Sequence, residues 1–313
     1  MSESEGTIKM REPASNDIHR RRKVNWQKVA PYLFVSPFII AFLLFSVYPF
    51  FSAIKMSFEQ VNGVAGSTWI GLTNYKQLFI MKDFYAALWN VFRYTIWTLL
   101  ILIPLPMFVA FIINRKGTPF TGFFKSVYFA PVLTSTVIAG LIFRYAFSSD
   151  KTGVFNEWLS HFGIGPLDWL NSPHTAMFAL VVICVWRWIG VNAIYFLSGL
   201  QGISPDLYEA ADMDGANGWQ KFRYITIPML KPITIYVLTI SIQAGFSLFN
   251  ESYVYWGAES PNNIGTTLVT LIYKTAFTDG NFGLSCAVGV MLFIIVTVVN
   301  AIQTKLMGLY DKD

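Results

Sequence analysis

Hydrophobic positions along the chain gather into six long runs, residues 31–52, 88–113, 126–147, 176–200, 233–256 and 284–306, separated by shorter polar stretches. Each run approaches or exceeds the roughly 20 helical residues needed to cross a bilayer's hydrocarbon. The pattern predicts an all-α membrane protein with six transmembrane helices. The second run contains Pro104 and Pro106, which remove backbone donors and should bend it. Such residues survive in a membrane where neighbouring helices satisfy the freed carbonyls. The first run starts too deep and extends too far for a cleavable signal, so it reads as a retained span.

Composition supports the lipid setting. Only 13% of the 313 residues are charged, against about 25% in soluble domains. A net charge of +5 is too modest to call for nucleic acid. Cys184 and Cys286 sit inside apolar runs, and His19, His161 and His174 are scattered, so neither set suggests a metal site or a disulfide framework.

Charge at the ends of the runs sets orientation. Fifteen Lys and Arg fall on the side that holds the N-terminal tail, the second and fourth loops and the C-terminal tail, against five on the other. The excess places both termini in the cytoplasm. Residues 1–29 form a basic polar tail with little to bury, expected to be disordered. Residues 30–307 make the membrane domain, and residues 308–313 a second cytoplasmic tail.

One cytoplasmic loop, residues 201–232, is unusually polar. Ser204-Pro205 is a helix-start signal, an N-cap hydroxyl followed by proline in the first turn. A short helix is expected over 207–213 with Leu207, Ala210 and Ala211 on one face. Gly215 breaks it, Asn217-Gly218 makes a turn, and a second helix runs from Trp219 to about Tyr224, ending before Pro228. The residues alone allow two readings: an amphipathic connector resting on lipid, or a small-faced helix that slots into a groove of another protein.

Spacing narrows this choice. Glu209-Ala210-Ala211, three residues, Gly215, nine residues and Ile225-Thr226-Ile227-Pro228 resemble the EAA loop of bacterial ABC importer permeases. The departure is Ile227, where that motif has leucine. The string "EAADMDGA", which includes Asp214, together with "WIGLTNY" at 69–75 and "LKP" at 230–232, resembles the carbohydrate branch that includes maltose- and glycerol-phosphate-type permeases. "VWRWIGVNAIYFLSGLQ" and "SPNNIGTTL" look most like arabinose-oligosaccharide permeases of Gram-positive bacteria. The resemblance covers about residues 30 to 307.

The resemblance implies the type I importer permease fold and a cytoplasmic coupling helix. That helix would dock in a cleft of a separate ATPase dimer, with Glu209, Ala210, Ala211, Asp214, Gly215, Ile225 and Pro228 as its coupling residues. It also implies a second permease chain, an extracellular sugar-binding lipoprotein, and cargo of oligosaccharides, arabinan-type fragments favoured over maltose- or glycerol-phosphate-type cargo. The chain itself would bind no cofactor and would not be an enzyme. ATP and Mg would belong to the ATPase, since no Gly-x4-Gly-Lys-Ser/Thr phosphate loop occurs in the sequence. "DKTG" at 150–153 matches the phosphorylation string of P-type pumps, but it lies in a short external loop without the large cytoplasmic domain that chemistry requires.

Two helical faces suit a sugar. Trp188, Asn192 and Tyr195 fall at i, i+4, i+7 in the fourth run. Gln243, Ser247, Asn250 and Glu251 fall at i, i+4, i+7, i+8 in the fifth. Such spacings stack residues on one side of a helix, and aromatic faces with amides, hydroxyls and acids match a hydroxylated ring. Polar residues also join spans together, so packing is the competing reading. Arg187 stands near the middle of the fourth run, while Arg93, Arg144 and Glu251 lie closer to external ends. External contacts for a delivering receptor are expected around 153–168 and 256–263. A stand-alone secondary transporter is the alternative class, though it would want a midplane acid and an internal repeat.

Overall fold

The computed structural model describes residues 26–61, 66–114 and 121–308. Most of the basic tail and the last five residues lie outside them. Ala30–Met56 forms the first apolar helix, with a π turn at Leu43–Val47, and none of its most apolar stretch is buried. Glu59–Val61 and Ser67–Trp69 then pair as a short antiparallel ladder. Asn74 fastens the ladder's start to the next helix by donating to the carbonyls of Ser57 (2.9 Å) and Glu59 (3.0 Å).

The second span, Lys82–Ile113, starts six residues before the predicted 88. It is interrupted at Ile103, and Pro104 opens its second half. Pro106 cannot donate to the carbonyl four residues earlier, and Asn192 of the fourth span donates to that carbonyl, Leu102, at 3.0 Å. The freed acceptor is therefore met by a neighbouring helix, as the prolines required.

The third run departs from expectation. The predicted continuous helix over 126–147 is two helices, Thr121–Leu133 and Thr136–Ala146, bent by 93°. Ser135 sits in extended conformation at the break. The first half packs on the fourth span, and the second on both the fourth span and the end of the fifth. Gly190 of the fourth span lets the backbone of Tyr128 approach so closely that a Cβ there would fall 1.8 Å from its carbonyl oxygen. The second half is instead tied through Arg144, which donates to the carbonyl of Val254 at 3.0 Å.

Pro173–Gln201 forms the fourth span, more buried than the first, second, fifth and sixth. The fifth, Lys231–Trp256, is also discontinuous: Lys231–Phe246 and Asn250–Trp256 flank a break at residues 247–249. Thr267 stabilises the break by donating its hydroxyl to the Leu248 carbonyl at 2.6 Å. Phe282–Leu306 is the sixth candidate span. By length and composition, five helices can cross a membrane, or six if the bent pair counts as one.

Two loop segments carry structure the hydrophobic pattern did not single out. Asn156 stitches the loop after the third run, donating to the carbonyls of Ser148, Asp150 and Leu167 and accepting from Leu167 and Trp169. After the fifth span, Leu268–Tyr273 is a short helix with Leu268 and Leu271 fully buried. They join Leu78, Phe84, Val91, Phe246 and Val288 in one apolar cluster. A separate cluster lies under the polar loop and is built from Met107, Phe196, Leu200, Leu230 and Val237.

Candidate functional site

The polar loop folds as a helical hairpin. Its first helix is Pro205–Met213, capped by Ser204, whose hydroxyl accepts from the Asp206 amide. The helix stops at Gly215, which takes φ +76°, a left-handed conformation that favours glycine. Asn217 is the N-cap of the second helix, exchanging hydrogen bonds with Gln220 in a capping box. This helix does not end before Pro228. Gly218–Lys221 continues through a π turn at Phe222–Thr226 into Ile227–Met229. Proline is tolerated at 228 because the wider turn upstream has already displaced the hydrogen-bond ladder.

The hairpin is fastened to itself and to the spans. Lys221 pairs with Asp212 across the two helices at 2.5 Å. The hydroxyls of Tyr208 and Thr226 lie 2.9 Å apart. The ring of Phe222 packs edge-on against Phe111 of the second span, with centroids 5.0 Å apart. Tyr208, Phe222 and Ile227 rest on the Met107–Phe196–Leu230 cluster. Displacing this loop therefore pulls on the second, fourth and fifth spans.

The outward surface of the loop is open. Glu209, Ala210, Asp214, Gly215 and Pro228 are exposed, and Ala211 and Ile225 half-buried. Met213 (90% exposed), Trp219 (69%) and Tyr224 (74%) add large apolar groups to the same polar loop. Spacing did not single them out, since only the folded loop shows which way they face. Exposed apolar groups clustered with polar ones mark a partner surface.

Within the membrane domain, a cleft of about 370 Å³ gathers Trp188, Asn192, Tyr195, Ser247, Asn250 and Glu251. Two predicted faces thus meet in one place. Gln243 is exposed and does not line the cleft, because the break at 247–249 ends the continuous helix on which its i, i+4, i+7, i+8 spacing depended. Asn192 is buried with its amide nitrogen committed to Leu102, so the packing role expected as the competing reading holds for that group. The ring of Tyr195 meets Tyr236 edge-on at 5.3 Å.

Glu251 does not sit at an external end in isolation. It is buried, and its Oε1 accepts from Arg187 Nη1 at 3.2 Å. Arg187 also lies over the Trp188 ring, 5.8 Å from its centroid, within cation–π range. A larger hollow of about 850 Å³ lies along the second to fourth spans, lined by Trp97, Tyr128, Phe178 and Trp186 among mostly aliphatic residues, with Arg93 and His174. It contains none of the predicted pathway residues and offers few groups to satisfy hydroxyls.

A membrane chain of this kind, with a hairpin tied to three spans and a cleft lined by the second to fifth spans, has the makings of a transport subunit. The family model described as "Binding-protein-dependent transport system inner membrane component" matches residues 103–307. The chain belongs to this family. It is a multi-pass permease subunit of an ABC importer in the plasma membrane; it is not an enzyme, and the ATPase is a separate subunit.

Among relatives, the arabinooligosaccharides transport system permease protein AraP of Bacillus subtilis is 47% identical over 288 residues, covering 92% of this chain and 91% of that one. The protein of the same description from Halalkalibacterium halodurans is 43% identical over 288 residues, covering 92% and 90%. The lactose transport system permease protein LacF of Rhizobium radiobacter is 31% identical over 276 residues, covering 87% and 92%. In structure, the chain is similar to a bacterial ABC transporter involved in the import of the acidic polysaccharide alginate, with a TM-score of 0.80 over 92% of this chain and 99% of that one, at 24% identity. That likeness gives the fold, the type I importer permease.

Proposed function

We propose that this chain is the membrane-spanning half of an importer for uncharged oligosaccharides, with arabinan-type fragments as cargo. The observation that carries the cargo class is the cleft. Trp188 and Tyr195 offer ring faces, and Ser247 and Asn250 offer hydrogen-bonding groups that are not buried. The arabinan preference is supported by the likeness to the two arabinooligosaccharide permeases.

The chain crosses the membrane six times, the bent third run counting as one span. Both termini face the cytoplasm, with residues 1–29 and 308–313 as tails around a permease domain of residues 30–307. The hairpin over 201–232 is the coupling element. Glu209, Ala210, Ala211, Asp214, Gly215, Ile225 and Pro228 make the surface that meets a groove on an ATPase dimer. ATP and Mg are bound by that dimer, and this chain binds no cofactor. Rigid-body motion of the hairpin switches the spans between two access states.

A second permease chain completes the pathway. Phe34 and Phe45 of the first helix, more than four-fifths exposed, are in keeping with contacts beyond this chain. An extracellular sugar-binding lipoprotein delivers cargo to the external loops at 153–168 and 256–263. Gentle purification from native membranes followed by mass spectrometry tests this assembly. Recovery of an ATPase, a second permease and a sugar-binding lipoprotein is expected. A chain recovered alone or only with itself would overturn the proposed assembly.

A further inference from the structure

We infer that Glu251 acts as an internal counter-ion for Arg187, holding the cleft neutral so that it admits uncharged saccharides and refuses those bearing carboxylates. This rests on the reading of the cleft as the cargo path, and it assigns specificity to two residues there.

Apart from this pair, no Asp, Glu, Lys, Arg or His among the described residues lines the cleft. Its charge is therefore set by two side chains that are each about nine-tenths buried. Charges at membrane depth are costly and persist when paired. The pairing is incomplete in a telling way: a single contact joins Nη1 to Oε1 at 3.2 Å, and Arg187 Nε is buried with no hydrogen-bond partner. A guanidinium prefers to meet a carboxylate through two parallel N–H groups. Arg187 thus retains an unused donor beside a cleft, and Glu251 occupies the position that a cargo carboxylate would take.

A uronic-acid sugar arriving in the cleft would meet the negative charge of Glu251 and find Arg187 already engaged. A neutral sugar meets neither obstacle and can use Trp188, Tyr195, Ser247 and Asn250. Removing the charge at 251 while retaining its shape should convert Arg187 from a neutralised group into a carboxylate receptor.

The test uses the importer complex purified from native membranes and reconstituted in nanodiscs. Calorimetric titration with arabinotriose and with trigalacturonate compares the wild type, E251Q and the double variant R187Q/E251Q. The wild type should bind arabinotriose and ignore trigalacturonate. E251Q should gain affinity for trigalacturonate by about tenfold or more, whereas the uncharged double variant should keep arabinotriose and still refuse trigalacturonate. A merely structural pair would alter affinity for both sugars alike. E251Q that binds arabinotriose but gains nothing toward trigalacturonate would overturn the inference and leave the cargo path standing. Should E251Q fail to assemble, the double variant decides, because accepting trigalacturonate without Arg187 would overturn it equally. A wild type that binds neither sugar would overturn the cargo reading and the inference together.

Discussion

The side-chain amide of Asn192 donates to the carbonyl of Leu102 at 3.0 Å, and that carbonyl is the one Pro106 cannot serve. One residue on the fourth span thus completes the hydrogen bonding of a proline-interrupted second span. Replacing Asn192 with leucine should lower stability by about 1 kcal/mol, the scale of a hydrogen bond between membrane helices. Denaturant or thermal unfolding in detergent measures the loss. In a Pro106→Ala background the backbone N–H returns, so the same substitution should cost clearly less. Equal costs in both backgrounds would show that the bond does not substitute for the missing donor.

Gly215 holds φ +76°, and a Cβ built there meets nothing within 4 Å. Gly215→Val therefore acts through the backbone alone, at about 1–3 kcal/mol of local strain for a β-branched residue in that region. Membrane insertion and protein level should remain normal while sugar uptake falls severalfold or more. Cell fractionation with immunoblotting, run beside uptake, separates the two.

Met213, Trp219 and Tyr224 are exposed on a loop anchored by Tyr208 and Phe222. Serine at all three positions should leave the fold intact, since none is buried. It should weaken retention of the ATPase during purification by about tenfold or more, as expected when aromatic anchors leave an interface. Quantitative mass spectrometry of the purified complex reads the ratio of ATPase to permease.

The fifth span separates cleft from non-cleft positions over a few residues. Asn250→Leu should reduce or redirect uptake across a panel of oligosaccharides, because Asn250 lines the cleft. Gln243→Leu should be close to silent, because Gln243 is exposed and lies outside the lining. If both substitutions behave alike, the cleft does not carry cargo.

Hydrophobic run length was enough to locate the spans, because crossing hydrocarbon demands about 20 apolar helical residues wherever they occur. The start of the polar hairpin was equally legible, since Ser204-Pro205 and Gly215 act through local backbone chemistry. What remained hidden depends on partners distant in sequence. The 93° bend after Leu133 separates two halves with distinct close contacts, at Tyr128–Gly190 and Arg144–Val254. The break at 247–249 is stabilised by Thr267, which lies nineteen residues from Leu248. Periodicity assumed one unbroken helix there and so joined Gln243 to a face it does not share. Glu251 likewise showed its pairing only once 64 residues of chain brought it to Arg187.

Under the proposed function, this chain admits oligosaccharide through a pathway driven by an ATPase docked at Glu209–Gly215. The most direct measurement is uptake of labelled arabinotriose by native host cells from which this gene is deleted, then restored as wild type or as Gly215→Val at equal membrane levels. Uptake should vanish on deletion, return with the wild type and stay near background with Gly215→Val. Uptake unchanged by the deletion would contradict the cargo, and full uptake through Gly215→Val would contradict the coupling.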